Sequence, residues 1–445
     1  MSRRARTAVI VAGATVSAVA AAVYRRARVR RVPSFPPGAE AITADEARGY
    51  VAGLAAASRV GRRDLAVSFA PAISTKVEPL VHGREYFPRM LEDIGAATSS
   101  IHLLMYGFKD GDIGCDFRDA LVAKAREGVA VRLSVDSIGS EVRLGSKELY
   151  RELVDGGIAV VMNEGLFPDI EGPLGGERRL DRRFDDLGHF DHRKMMVVDG
   201  RIGYVGGTGI EDHFNDERFY DTMTRVEGPV VAQLQAVFLS TYLYQGGELA
   251  ADSDALDACF PASDAPPDGG IRTMVLVNVP GEGHHPISDA IEQILESATR
   301  RVAIINPYIT DHGILDRLVD AAERGAEVVV IVPGKPTPPY PAAAMRVSYR
   351  ALTDAGIRVL KHPDMAHAKV MRVDDTAMLG GCNLDALSLF HNFELNLLFE
   401  DAGVAERVQE HVLDSFEAVS EPVEIPTKPL QRAWNRAMDV LSPLL

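Results

Sequence analysis

The sequence predicts an α/β fold in which two similar lobes, each a mostly parallel sheet flanked by helices, share one central cleft. First, apolar strand-like runs alternate with helical runs, as in 100–106, 117–127 and 129–136. Second, the same order returns later in the chain, and the stretches that begin at Asp119 and Asp316 align with an offset of 197 residues. Third, one pattern of His, Lys and Asp occurs once in each half. We therefore interpret the chain as an internal duplication.

The N-terminus carries an uncharged apolar run, residues 7–23, with arginines on both sides. This run is at the short end for a membrane-spanning helix, and Ala18-Val19-Ala20 resembles a cleavage site for secretion. Residues 1–28 are thus predicted as a membrane anchor or a signal. A single retained anchor would place the protein at the cell membrane. Residues 29–76 are predicted to form a linker and a helix.

The two lobes are predicted over residues 77–260 and 261–420, with the break in a stretch rich in Pro and Gly. The first lobe has about 24 extra residues before its motif, a charged and Gly-rich loop over 163–188. This loop either gates the site or is a surface excursion without function.

The C-terminal segment, residues 421–445, is predicted to be amphipathic. Leu430, Trp434, Met438 and Leu441 recur at helical spacing, and Trp434 is the only Trp of the chain. The helix is predicted either to lie in a membrane interface or to pack on the body.

Composition narrows the range of functions. The net charge is −15, and because residues 1–31 hold eight Arg and no acid, the remainder carries −23. Such an acidic body disfavours nucleic acid as a partner. Three cysteines without C-x-x-C spacing indicate neither a disulfide framework nor a zinc site.

The repeated pattern is H-x-K-x-x-x-x-D. Alternation along a strand places its imidazole and ammonium on one face, where they suit an anionic phosphate. The six residues of the two copies are predicted to be catalytic: His192, Lys194, Asp199, His367, Lys369 and Asp374.

Further polar and small residues follow each copy. A glycine pair allows close approach of a backbone, and Asn383 offers an amide; the predicted phosphate-binding set is Gly206, Gly207, Gly381 and Asn383. A carboxylate follows each histidine at similar distance, Asp221 after 29 residues and Glu394 after 27. Asp221 and Glu394 are predicted to orient the imidazoles.

Two histidines at one phosphorus suit exchange of a phosphodiester. One neutral imidazole attacks phosphorus, and the other protonates the leaving oxygen and then activates the acceptor. Lys194 and Lys369 stabilise the phosphoryl oxygens, so neither a metal nor another cofactor is expected.

With both motifs in place, the chain resembles the phospholipase D superfamily and, within it, the bacterial cardiolipin synthases. The resemblance covers residues 77–420 and includes H-R-K-M-M-V-V-D-G, H-A-K-V-M-R-V-D-D and F-H-N-F-E. It implies a two-lobed phospholipase D-like fold and catalysis through phosphohistidine, with His192 as nucleophile and His367 as acid/base. It also implies a phosphatidylglycerol-like phospholipid substrate and a membrane as partners.

The chain departs from the family pattern in several places. Gly209 stands where an Asn is frequent, Gly207 and Gly381 stand where Ser is common, and Leu387 replaces a usual Arg. The alternative functions are a hydrolytic phospholipase D, a nuclease of the superfamily and a lipid-binding protein without activity.

Overall fold

Two large mixed sheets form the frame of the molecule. The computed structural model describes residues 41–142, 145–163, 189–251, 253–263 and 269–442. The strands are β1 Ala72–Ser74, β2 Lys76–Val81, β3 Ser100–Met105, β4 Ala130–Asp136, β5 Ala159–Asn163, β6 Lys194–Val198, β7 Ile202–Gly206, β8 Phe219–Tyr220, β9 Thr222–Glu227, β10 Ile271–Asn278, β11 Arg301–Ile305, β12 Glu327–Pro333, β13 Arg358–His362, β14 Met365–Ala366, β15 Val370–Val373, β16 Thr376–Gly380, β17 Glu394–Glu400 and β18 Glu421–Pro422. The first sheet has seven strands in the order β2-β9-β7-β6-β3-β4-β5, and the second has nine in the order β1-β10-β17-β16-β15-β11-β12-β13-β18.

The prediction of mostly parallel sheets is wrong, although the α/β class and the two lobes are confirmed. Only β3-β4-β5 and β11-β12-β13 run parallel, and the other neighbours within both sheets are antiparallel. The helical crossovers lie between the parallel strands. The strands that carry the motifs instead turn back at once, β6 into β7 and β15 into β16, and such short turns require antiparallel pairing.

The helices cover the outer faces of both sheets and fill the space between the lobes. They are α1 Ala47–Ala56, α2 Arg62–Leu65, α3 Gly83–Ala96, α4 Asp112–Arg126, α5 Lys147–Asp155, α6 Val230–Tyr244, α7 Asp254–Ala258, α8 Pro286–Ser297, α9 His312–Glu323, α10 Pro339–Met345, α11 Tyr349–Asp354, α12 Ala386–Phe390, α13 Ala402–Val408, α14 Asp414–Val419 and α15 Pro429–Leu441.

One apolar core joins the two lobes. It contains Val197 and Val205 from the first sheet, Leu395 and Leu397 from the second, and nearly every turn of α6. Two further cores lie on the outer faces, under α3 to α5 in the first lobe and under α8 and α9 in the second. Since burial of apolar surface drives the association, this shared core fixes the lobes against each other.

The predictions for the two ends of the chain and for the long loop have different outcomes. Residues 1–28 and the loop residues 164–188 lie outside the described part of the chain. Within that part, no helix combines the length and apolar character needed to cross a bilayer. The C-terminal helix α15 packs on α10 through Met438, which contacts Ala343 and Ala344, while Leu430 and Trp434 stay exposed.

Candidate active site

The two motif histidines lie at the junction of the lobes, just before the strands that carry their lysines. The backbone N–H of His192 donates to the carbonyl of Phe393 at 3.1 Å. In the other half, the N–H of His367 donates to the carbonyl of Tyr220 at 2.7 Å. Each histidine is therefore bound through its main chain to the opposite lobe.

The residue after each of these carbonyls carries one of the two carboxylates that the sequence predicts to orient the imidazoles. Nδ1 of His192 lies 2.8 Å from Oε1 of Glu394, and Nδ1 of His367 lies 2.7 Å from Oδ2 of Asp221. Both carboxylates are fully buried. Each histidine thus contacts a carboxylate from the opposite lobe. In each pair the contact at Nδ1 directs Nε2 away from the carboxylate.

Both motif lysines are buried and folded back on their own histidines. Nζ of Lys194 donates to the His192 carbonyl at 2.5 Å, and Nζ of Lys369 donates to the His367 carbonyl at 2.5 Å. Nζ of Lys369 also lies beside the ring of His367, 2.8 Å from its Nδ1 and 3.0 Å from its Nε2. Among the described residues, Nε2 of His192 has no such partner. The lone pair of His192 is consequently the more accessible of the two.

The electrostatics of the cleft favour an anion. Burial, together with the ammonium groups of Lys194 and Lys369, lowers the pKa of His192 well below its ordinary value. Burial and Lys369 lower the pKa of His367 to about 4. Burial also lowers the pKa of Lys194 to about 7 and that of Lys369 to about 8. A bound phosphate would reverse these shifts by supplying negative charge.

The motif aspartates do not join this cluster, which corrects their assignment as catalytic side chains. Asp199 lies in the turn after β6 and accepts from the backbone N–H groups of residues 98–100 at 2.8–2.9 Å. Asp374 accepts in the same way from residues 299–301 at 2.8–3.0 Å. Both have positive φ, 52° and 50°, which Asp tolerates better than most residues. Their place at the far ends of the strands makes them structural.

The glycine pairs leave room for the carboxylates that reach the histidine of the opposite lobe. A Cβ on Gly207 would lie 2.4 Å from Oδ1 of Asp221, and one on Gly206 would lie 2.3 Å from the Thr222 carbonyl. A Cβ on Gly381 would lie 3.2 Å from the Gly206 carbonyl, so the two pairs approach each other across the lobes. Their role as phosphate ligands stays a prediction.

Asn383 is the remaining member of the predicted phosphate-binding set. It is 8% exposed, and its Oδ1 has no hydrogen-bond partner among the described residues. A buried amide with an unpaired atom is costly, which fits a group kept for a ligand.

Sequence reasoning missed the aromatic walls beside each histidine. The Tyr106 ring lies 4.9 Å from the His192 ring, and Nζ of Lys194 lies 4.9 Å from the Tyr106 centroid. Phe214 and Phe219 lie 5.9 and 5.3 Å from the His367 ring. Tyr106 directly follows the buried strand β3, and residues that follow parallel strands often line a site, so its position could have been noticed.

The first motif also differs around Gly209. A Cβ there would lie 2.7 Å from the Gly107 carbonyl and 2.8 Å from Oε1 of Glu211. Glu211 in turn pairs with Lys109 at 3.0 Å. An Asn side chain would thus have no room at position 209, and the ion pair of Glu211 and Lys109 lies there instead.

Comparison with known proteins agrees with this architecture. The family model described as "Cardiolipin synthase, PLD-like domain" matches residues 90–241 and 291–416. The major cardiolipin synthase of Bacillus subtilis is 32% identical over 83% of this chain and 74% of its own length. A cardiolipin synthase A of Pseudomonas putida is 30% identical over 91% of this chain and 81% of its own length.

A solved structure supports the fold independently. The phosphatidylserine synthase of Haemophilus influenzae superposes with a TM-score of 0.63, at 14% identity, over 90% of this chain and all of that one. At such low identity the likeness concerns the fold alone. Together with the matched family model and the relatives at 30% identity or more, it leads to one conclusion: the chain belongs to the cardiolipin synthase family of phospholipase D-like enzymes.

Proposed function

We propose that this enzyme transfers a phosphatidyl group from one phosphatidylglycerol molecule to another, which gives cardiolipin and releases glycerol. The observation that carries the proposal is the pair of histidines, each bonded at Nδ1 to a buried carboxylate of the opposite lobe and each accompanied by a buried lysine. The names of the relatives support the choice of substrate.

The first step is assigned to His192. Its lowered pKa keeps the imidazole neutral, and Nε2 is not engaged by Lys194. Nε2 attacks phosphorus, and the bond from phosphorus to the oxygen of the headgroup glycerol breaks. The departing oxygen takes a proton from Nε2 of His367. The negative charge of the bound phosphodiester raises the pKa of His367 and so favours the protonated ring in the complex.

The second step reverses these roles. The terminal hydroxyl of a second phosphatidylglycerol gives its proton to His367 and attacks phosphorus, and the bond from phosphorus to His192 breaks. Lys194 and Lys369 stabilise the non-bridging oxygens in both steps. The Phe214 and Phe219 rings beside His367 supply apolar surface that disfavours water as the acceptor.

Lipid analysis tests the reaction. The purified full chain in detergent is incubated with phosphatidylglycerol, and the products are measured by mass spectrometry. Cardiolipin together with glycerol is expected. Phosphatidic acid as the only product would refute the transferase in favour of a hydrolase.

Intact-mass measurement of the quenched enzyme tests the roles of the histidines. His192→Ala is expected to abolish both turnover and the phosphatidyl adduct. The matched control is His411→Ala, because His411 is half exposed and pairs with Glu85 outside the cleft. If the adduct persists in His192→Ala and disappears in His367→Ala, the two roles are reversed.

A further inference from the structure

A second polar cavity lies away from the catalytic histidines, between the C-terminal helix α15 and the body. It measures about 550 Å³. Its lining contains no carboxylate but four arginines: Arg346, Arg350, Arg432 and Arg436. Guanidinium groups bind phosphate oxygens through paired hydrogen bonds, so this lining suits a phosphate ester.

The arginines are largely unneutralised. Arg350 has Asp354 at 3.8 Å, a long contact between two exposed side chains. Within the described ranges, Arg346, Arg432 and Arg436 form no ion pair within 4.0 Å. Clustered cations without counterions repel one another, and a bound anion would relieve that repulsion.

A buried amide adds a second polar contact. Asn435 lines the same cavity and is only 2% exposed, yet its Oδ1 has no hydrogen-bond partner in the described part of the chain. An amide oxygen accepts hydrogen bonds, and a hydroxyl group on the ligand would provide one. The cavity therefore suits an anion that also carries a hydroxyl group, as phosphatidylglycerol does.

The helix that forms one wall is firmly held and presents apolar side chains at the rim. Met438 packs on Ala343 and Ala344, and Asp439 pairs with His312 at 3.3 Å. Leu430 and Trp434, one helical turn apart, are 87% and 57% exposed. Exposed Leu and Trp next to Arg are typical of helices that bind the surface of an anionic bilayer.

Helix α10 connects the cavity to the wall of the catalytic cleft. Arg346 directly follows α10, a helix of seven residues that spans about 10 Å. Burial raises the pKa of Tyr106, whose ring contacts His192, and Tyr340 in the first turn of α10 is near enough to add to that rise. A net charge of −15 opposes approach to an anionic bilayer, so a local cationic site would determine which face of the protein meets it.

From these contacts we infer that the cavity binds the headgroup of an anionic phospholipid in the bilayer surface, while Leu430 and Trp434 enter the interfacial layer. This contact holds the mouth of the catalytic cleft against the membrane. The site goes beyond the transfer reaction, because none of its residues belongs to the catalytic cluster.

Fluorescence of Trp434, the only Trp in the chain, tests the inference. The full chain is prepared with His192→Ala, so that lipid is not consumed, and is placed in neutral micelles. Phosphatidylglycerol is then titrated in. A blue shift is expected, together with quenching by phosphatidylglycerol brominated on its acyl chains. Brominated phosphatidylcholine is expected to quench at least tenfold less at the same concentration.

Two charge-matched variants complete the test. The first replaces Arg346, Arg350, Arg432 and Arg436 with Gln, and the second does the same to four exposed arginines elsewhere: Arg126, Arg151, Arg201 and Arg407. Binding is expected to weaken at least tenfold in the first and to stay unchanged in the second. The single variant Arg436→Gln, expected to weaken binding in the same direction, guards against misfolding.

Three results would overturn the inference. Equal quenching by brominated phosphatidylcholine would show an apolar contact without headgroup recognition. Equal loss in both four-site variants would show an effect of net charge alone. A Trp434 shift produced by inorganic phosphate, with no quenching by brominated lipid, would show a site for a soluble anion. Because the readout needs no turnover, none of these results depends on the proposed reaction.

Discussion

Replacing Lys194 with Met should stabilise the fold while it abolishes catalysis. Lys194 is 2% exposed, and burial lowers its pKa from 10.5 to about 7. At 1.36 kcal/mol for each pKa unit, the buried ammonium costs about 5 kcal/mol of unfolding free energy, an upper limit because its surroundings can relax. Burial raises the pKa of Glu394, so this group can take up a proton once the lysine is gone.

The pH dependence makes this prediction specific. The unfolded chain keeps the lysine protonated up to about pH 10, whereas the folded chain releases the proton near pH 7. The cost is therefore complete below pH 7 and fades as the pH rises. We expect Lys194→Met to gain stability at pH 6, and this gain to shrink by about 2–3 kcal/mol at pH 9.

Urea unfolding of the detergent-solubilised protein at both pH values measures the gain. The control is Lys147→Met, because Lys147 is exposed and its variant should show no pH-dependent change. A Lys194→Met variant that is no more stable at pH 6, or whose gain is the same at pH 6 and pH 9, would contradict the burial cost assigned to this lysine.

Three further predictions concern the same cluster. Glu394→Gln should slow formation of the phosphatidyl adduct by about a hundredfold or more, whereas Asp221→Asn should slow the proton transfers of both steps. Rapid-quench kinetics measure adduct formation and adduct breakdown separately, and identical effects of the two variants would argue against distinct roles. The ratio kcat/KM should fall as the pH rises through about 7 to 8, where Lys194 and Lys369 lose the charge that binds phosphate, and a flat profile up to pH 9 would count against it. Asp374→Ala should lower the unfolding free energy by about 2–4 kcal/mol through lost hydrogen bonds but leave kcat of the folded fraction unchanged; its pKa is lowered in the fold, so this contribution should fade as the pH falls below about 4.

Much of the architecture was predictable because duplication leaves two aligned copies of one pattern. The alternation of strands with crossover helices, each helix followed by a glycine, predicted the α/β class. The motif spacing predicted the two histidines and the two lysines of the site. The direction of the motif strands was not predictable in the same way. A buried strand reads as an apolar run whether its neighbours are parallel or antiparallel.

The limits of sequence reasoning are clearest at the carboxylates. Spacing proposes Asp221 and Glu394, yet it does not tell which histidine each one contacts, because the answer depends on how the lobes pack. Spacing also groups Asp199 with His192, although a strand of five residues separates their environments. A residue that both copies of a motif share can thus stabilise the turn that ends the strand.

The exchanged carboxylates have a genetic consequence. In each half, the histidine contacts the carboxylate of the other half and not its own. A polypeptide with a single copy of the motif could therefore complete the site only as a symmetric pair of identical chains. When both copies lie in one chain, they can diverge. The pair of Glu211 and Lys109 beside Gly209 on one side, and Asn383 on the other, is such a divergence. In the proposed reaction a donor and an acceptor are bound in turn, and such a reaction gains from this asymmetry, which an identical pair cannot encode.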